Sequence, residues 1–177
     1  RKHQKNKEID EETSLSMYNI LINELTNAGY EQYEISNFAR PGFRSLHNSS
    51  YWHEIPYIGL GASAHSYLNG IRKWNISNLK KYMDEIACNK LPQEIEILSK
   101  DTQYNDLITT ALRTKEGIDL NKMKNKYGEE RYNYLMKEAQ PHINAGKMEL
   151  SKHRLFITRM GLFTSDDIMS DLIYIAD

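Results

Sequence analysis

From about Thr13 onward, apolar residues recur three and four positions apart. Leu15, Tyr18, Leu21, Ile22, Leu25 and Ala28 form one stripe, which predicts an amphipathic helix. Gly29 follows directly, and glycine is the residue that most readily takes the left-handed position at a helix end. Tyr30 to Ser36 alternates in part and is rich in Tyr and Ile, so it reads as a strand. Helix, glycine stop and strand together make the αβ step of an alternating α/β fold. Residues 37–56 read as a long connection, with Pro41-Gly42 suited to a type II turn. Tyr57 to Gly61 reads as a short buried strand running into a series of small residues. Asn69-Gly70 lies between two β-compatible runs and predicts a hairpin with strands near 64–68 and 71–75.

Ser77 is placed to cap a helix whose stripe is Leu79, Tyr82, Met83 and Ile86, and Leu91-Pro92 ends that unit. The pattern then changes to helices joined by short turns. One carries Tyr104, Leu107, Ile108, Ala111 and Leu112. A second follows Asp119 with Leu120, Met123 and Tyr127 and stops at Gly128. A third carries Tyr132, Leu135, Ala139 and Ile143 and stops near Gly146. Met148 and Leu150, then Leu155 and Ile157, alternate on either side of Lys152-His153 and predict a two-stranded wing. A last helix carries Ile168, Leu172 and Ile173. Residues 1–98 therefore read as an α/β unit and residues 99–177 as a small helical, winged-helix-like unit. Residues 1–12, of mixed charge and without apolar period, read as a ragged start or the end of a linker.

Composition narrows the function classes. Of the 177 residues 40% are hydrophobic and 27% charged, the proportions of a globular domain, and the formal charge is -1. Such a balance gives no bulk attraction to nucleic acid or to an anionic membrane. A winged helix that docks on phosphate needs clustered positive charge. Residues 100–177 instead hold 12 Lys plus Arg against 12 Asp plus Glu, which favours a packing or lid role over DNA binding. No transmembrane segment is expected, since the apolar stretches fall well short of the roughly 18 residues that span a bilayer. The single cysteine, Cys88, excludes an internal disulfide framework and any metal site built on several thiolates. Without a signal-peptide pattern, the expected location is cytoplasmic. The chain begins at Arg1 rather than Met, so it is expected to be a fragment or a processed product.

Two segments carry candidate chemistry. In His47-Asn48-Ser49-Ser50-Tyr51-Trp52 the imidazole offers a nitrogen lone pair able to ligate iron or zinc, and the adjacent rings offer flat apolar surface for a planar ligand. On the residues alone the same run reads more readily as structural, with Tyr51 and Trp52 plugging the core and His47 capping a carbonyl. In Gly59-Leu60-Gly61-Ala62-Ser63-Ala64-His65-Ser66-Tyr67 small residues at a strand end let the backbone approach a ligand or another strand closely. It is no dinucleotide fingerprint, because a hairpin rather than a helix follows. A zinc site from His47, His53 and His65 is a weak reading, because no His-x-x-x-His pair is present.

Tyr33-Glu34-Ile35-Ser36-Asn37-Phe38-Ala39, Pro41-Gly42, the HNSSYW run and the GLGASAHSY run, in this order and spacing, resemble the C-terminal half of the oxygen-independent coproporphyrinogen III oxidase-like family. The HNSSYW run resembles its HemW branch in particular. Leu112 to Asp119 and Ile157 to Gly161 are similar to that family's small C-terminal domain. The resemblance covers about residues 13–175.

It implies the C-terminal portion of a partial (β/α) radical S-adenosylmethionine barrel followed by a small helical domain. In the parent a 4Fe-4S cluster sits on a three-cysteine CxxxCxxC run, which is absent here, so this chain is expected to be inactive alone. The HemW branch is regarded as haem chaperones delivering haem to respiratory proteins, and its histidine is the proposed haem contact. That implies His47 at haem iron, with Tyr51 and Trp52 as an apolar wall. Gly61, Ala62 and His65 match a segment bordering the S-adenosylmethionine pocket. Two other roles stay open: oxidation of coproporphyrinogen III to protoporphyrinogen IX, and a packing module without catalysis. A barrel cut across its middle exposes strand edges, so the isolated chain is expected to self-associate.

Overall fold

In the computed structural model, residues 9–175 are described. The first helix, α1 (Glu11–Asn27), begins at Asp10, whose carboxylate accepts the Thr13 N–H at 2.8 Å. It ends at Ala28 and Gly29, the latter at φ +83°. Of its stripe only Ile22 is buried, while Leu15 and Leu21 face outward with Met17 and Ile20. The strand expected through Ser36 is instead a hairpin, β1 (Glu31–Glu34) against β2 (Asn37–Ala39). A bulge between Gln32 and Glu34 breaks the alternation, so the consecutive side chains Tyr33 and Glu34 are both buried.

Residues 37–56 hold β2 and a short helix, α2 (Leu46–Trp52), rather than a bare connection. Ser45 caps α2, its hydroxyl accepting the Asn48 N–H at 3.2 Å. Tyr57 to Gly61 forms no strand. Only Tyr57 pairs, through two 3.0 Å backbone bonds with Tyr67, and Ile58 and Leu60 are 85% and 87% exposed. The predicted hairpin is present as β3 (His65–Leu68) and β4 (Ile71–Asn75). Asn69 and Gly70 lie at φ 48° and 79°, the left-handed pair that a two-residue turn of this hand requires. Then comes α3 (Leu79–Ala87), capped by Asn78 rather than Ser77. A strand the apolar pattern misses, β5 (Gln93–Ile97), returns to pair with β4 and completes the order β3-β4-β5.

The tail follows its apolar periodicity closely: α4 (Lys100–Ala111), β6 (Ile118–Asp119), α5 (Leu120–Tyr127), α6 (Glu129–Asn144), β7 (Met148–Ser151), β8 (Arg154–Ile157) and α7 (Ser165–Asp171). The wing turns at Lys152 and His153, both at positive φ, and β6 extends it in the order β6-β8-β7. Tyr104, Ile108, Leu112, Leu135, Leu155, Ile168 and Leu172 are almost wholly buried, and the main apolar core lies within residues 104–172. The chain is thus α/β, small antiparallel sheets interleaved with helices and a winged-helix-like end. No closed barrel exists among the described residues.

The two parts meet through ions. Arg113 donates to Glu34 Oε1 from Nε at 2.9 Å, and its Nη2 lies 2.8 Å from the same oxygen. Glu34 Oε2 accepts from the N–H and hydroxyl of Ser36, both at 3.0 Å, and from the Asn37 amide. The Ile35 N–H donates to the Arg113 carbonyl at 3.0 Å and the Lys115 N–H to the Tyr33 carbonyl at 3.1 Å. Arg44 bridges Glu31 and Glu116, Arg72 meets Asp106 at 2.6 Å, and Lys126 meets Glu54 at 2.8 Å. Burial alone would lift the Glu34 carboxyl. The donors on Ser36 and Asn37, with the Arg113 charge, outweigh it and hold the group below the usual glutamate range.

A carboxylate depressed in this way contributes stability in full above its unfolded value, near 4.5, and loses it as the pH falls through the folded value. Urea midpoints of the wild type are therefore expected to fall as pH drops below about 4.5. In Glu34→Gln that part of the slope should vanish; an equal slope in both proteins would contradict the assignment. A second expectation concerns Gly117, at φ +62°, where an added Cβ would lie 2.2 Å from the Leu155 carbonyl oxygen. Gly117→Ala should cost about 3 kcal/mol or more by urea unfolding, adding overlap to the left-handed penalty. Gly29→Ala, with open space around its Cβ, should cost only about 1 kcal/mol.

Candidate functional site

None of the seven residues of α2 is buried, so the helix has no apolar stripe of its own sunk in a core. His47 and Tyr51 stand one turn apart on its outer face. The rings meet edge-to-face at 5.0 Å, with the Tyr51 hydroxyl 3.3 Å from His47 Nε2. Tyr51 continues to Tyr57 at 4.7 Å between centroids and Tyr57 to Tyr67 at 6.4 Å. An aromatic series thus runs from α2 to β3. Burial raises the Tyr57 phenol above the usual tyrosine range, the Tyr51 ring beside it acting in the same sense.

Beyond this series lies an open groove of about 620 Å³, walled by Tyr57, Ile58, Tyr67, Leu68, Ile71 and Leu91, with Lys73 as its cation. The near-complete exposure of Ile58 leaves an apolar wall facing outward. On the other side of the series Arg72 and Asp106 close a smaller hollow with Tyr51 and Tyr67. Burial lifts Asp106 above the usual aspartate range against the pull of Arg72.

Trp52 does not join His47. Five residues along a helix is a rotation of about 140°, and the indole turns towards the tail. There the Arg113 guanidinium lies over its ring at 5.5 Å, and Nε1 is buried without a hydrogen-bond partner. Trp52 also walls a cavity of about 230 Å³ with Glu54, Leu107, Met123, Lys126 and Tyr127. Burial works against the Lys126 charge, yet its bonds to Glu54 and Tyr127 hold the ammonium well above the usual lysine range. The Tyr127 phenol is pushed up to about 12, chiefly by burial.

Gly61, Ala62 and His65 form a separate group. Gly61 takes φ +103°, its N–H donates to the Tyr82 hydroxyl at 3.3 Å, and its carbonyl accepts from buried Asn75 at 2.8 Å. Ala62 is half-buried in the same turn. His65 is exposed and stacks on Trp74, its cross-strand partner, at 6.2 Å. His53 Nδ1 lies 2.7 Å from the Ser49 carbonyl oxygen, a helix-end contact. The six residues singled out in the sequence therefore fall into a His47–Tyr51 face, a Trp52 junction and a Gly61–His65 turn. Among the described residues no group of three or more His, Cys, Asp or Glu side chains is arranged to hold a metal ion. Cys88 is exposed and stands alone, so these residues do not fit an iron–sulfur cluster. No described helix is long and apolar enough to cross a membrane.

Sequence reasoning gave no role to Arg113 or Tyr57. A glutamate followed by Ser36 and Asn37 at a hairpin turn is the signal that a buried carboxylate is being partnered, but nothing local names an arginine 79 residues away.

Residues 98–164 match the HemN C-terminal domain family. The heme chaperone HemW of Lactococcus lactis is 38% identical over 117 residues, 66% of this chain and 31% of the relative. That of Bacillus subtilis is 29% identical over 159 residues, 89% of this chain and 42% of the relative. The chain thus spans less than half the length of these curated relatives. Coproporphyrinogen III oxidase (HemN) from Escherichia coli, described as a radical SAM enzyme, superposes with a TM-score of 0.67 at 17% identity over 93% of this chain and 42% of that one, a likeness of fold. Residues 98–164 thus match the HemN C-terminal domain family, and the chain as a whole is similar by sequence to the C-terminal part of the HemW proteins and shares the fold of the corresponding part of HemN.

Proposed function

We propose that this chain is the C-terminal region of a haem chaperone and that haem is carried over the His47–Tyr51 face of α2. The observation that carries the reading is the side-by-side placement of an exposed imidazole and phenol at the head of an aromatic series leading to an apolar groove. Haem is cargo here. It is a largely apolar disc with one metal that accepts an axial nitrogen and two carboxylates at its edge. The residues present fit those demands: His47 offers the nitrogen, Tyr51 and Tyr57 offer ring surface, and the groove adds apolar area beside the Lys73 ammonium. Trp52 serves the face from behind by anchoring α2.

On this reading residues 1–98 are the haem-facing unit, and residues 99–177 are a packing unit that fixes the back of α2. Gly61, Ala62 and His65 border the part of the parent protein that binds S-adenosylmethionine, whose cluster ligands lie outside this chain. Haem-accepting respiratory proteins are the partners and the cytoplasm the location. Oxidation of coproporphyrinogen is the second reading, favoured by the fold shared with HemN.

A Soret-band titration of the full-length protein is expected to show saturable haem binding, and His47→Ala should weaken it roughly tenfold or more with an altered spectrum. Identical affinity and spectra in the two proteins would remove His47 from the account. Product analysis under anaerobic conditions separates the second reading. No vinyl product should form from coproporphyrinogen, and accumulation of protoporphyrinogen would favour the oxidase.

A further inference from the structure

The helix that bears His47 is seven residues long, and a helix of that length has no stability of its own in water. Its direction must come from contacts made by its other face. Trp52 makes such a contact, yet its indole nitrogen has no partner, so no hydrogen bond orients the ring. What covers the ring is the Arg113 guanidinium, 5.5 Å from its centroid. That guanidinium is itself fixed: Nε and Nη2 both engage Glu34 Oε1, and the Arg113 carbonyl accepts from Ile35. Glu34 is held in turn by Ser36 and Asn37, and its side chain is wholly buried. Three segments far apart in the chain, 33–37, 46–52 and 113, thus converge on one planar cation.

From this arrangement we infer that Arg113 is a positioning residue for the haem face: the guanidinium, locked by Glu34, seats Trp52 and so sets the angle at which α2 presents His47. The inference rests on the haem reading above. Its physical content is that planarity, and not charge alone, is needed. A lysine at 113 keeps a positive charge for Glu34 but has no flat face to lie on the indole. The effect on haem is indirect, since Arg113 lies on the tail side of α2 and His47 on the outer side.

Two measurements on the full-length protein test this. The first is hydrogen–deuterium exchange of residues 46–52 without haem. The second is the Soret spectrum and affinity with ferric haem. Arg113→Lys is the main variant because it leaves Glu34 a charged partner. The double variant Glu34→Gln with Arg113→Met guards against unfolding, since it leaves no unpaired buried charge. In both, exchange in α2 is expected to rise about tenfold while the buried helix α4 exchanges as in the wild type. Haem affinity should fall several-fold, with a broadened or split Soret band, whereas Trp52→Phe, which keeps a ring under the guanidinium, should retain most of the wild-type spectrum.

Unchanged α2 exchange in Arg113→Lys would overturn the inference and leave the haem reading standing. Raised exchange with an unaltered haem spectrum would also overturn it. If the wild type binds no haem but α2 loosens in the variants, the positioning of α2 by Arg113 is upheld and the haem reading falls.

Discussion

A carboxylate with no solvent contact is tolerated only when every lone pair finds a donor, and Glu34 is that carboxylate here. One oxygen takes two contacts from Arg113, and the other takes three from Ser36 and Asn37. Satisfying it forces residues 33–35 against residues 113–115, where two backbone bonds then close. Once those two segments are joined, Arg113 lies over Trp52, α2 rests against the tail, and His47 faces outward. The placement of the candidate site is thus a consequence of neutralising one buried charge.

The distribution of apolar burial explains why so much depends on that contact. The tail has a core of its own, with Tyr104, Ile108, Leu135, Leu155 and Leu172 fully enclosed. The part before it buries little: Ile22, Tyr33, Ala39 and Leu98, while Leu79, Met83, Ile95 and Ile97 remain open to solvent. Beside the packing of Ile35 and Trp52 on the tail and the backbone bonds of residues 33–35 with 113–115, four ion pairs attach it: Arg113–Glu34, Arg44–Glu116, Arg72–Asp106 and Lys126–Glu54. Ion pairs at a half-exposed surface contribute little each, and the buried one differs because breaking it strands a charge.

The tail was legible in the sequence because its helices are amphipathic at a period of 3.6 and end at Gly128 and Gly146, where the chain needs positive φ. The wing and the Asn69-Gly70 hairpin were legible through their turn residues. The region around the site was harder for reasons visible in particular residues. The bulge at Tyr33 and Glu34 defeats a period-two reading, and α2 buries no stripe that periodicity could detect. β5 alternates Glu with Ile on a sheet whose apolar side is open, so burial gave no signal. Ile58 and Leu60 look like strand residues yet are exposed, because the chain there makes a single bridge. Within the HNSSYW run the residue types indicated a metal-ligating nitrogen beside flat apolar rings, and haem entered only through the family resemblance; helix rotation separates Trp52 from His47. The Arg113 contact is non-local and had no sequence signature.

The most direct test of the central claim is a double-mutant cycle on unfolding free energy with Glu34→Gln, Arg113→Met and the two combined. If the buried pair organises the junction, each single change strands a polar group and the double variant recovers much of the loss. The coupling should then be about 2 kcal/mol or more. Additive losses, with a coupling below about 0.5 kcal/mol, would mean that the two residues do not act together and that something other than their contact holds α2 in place.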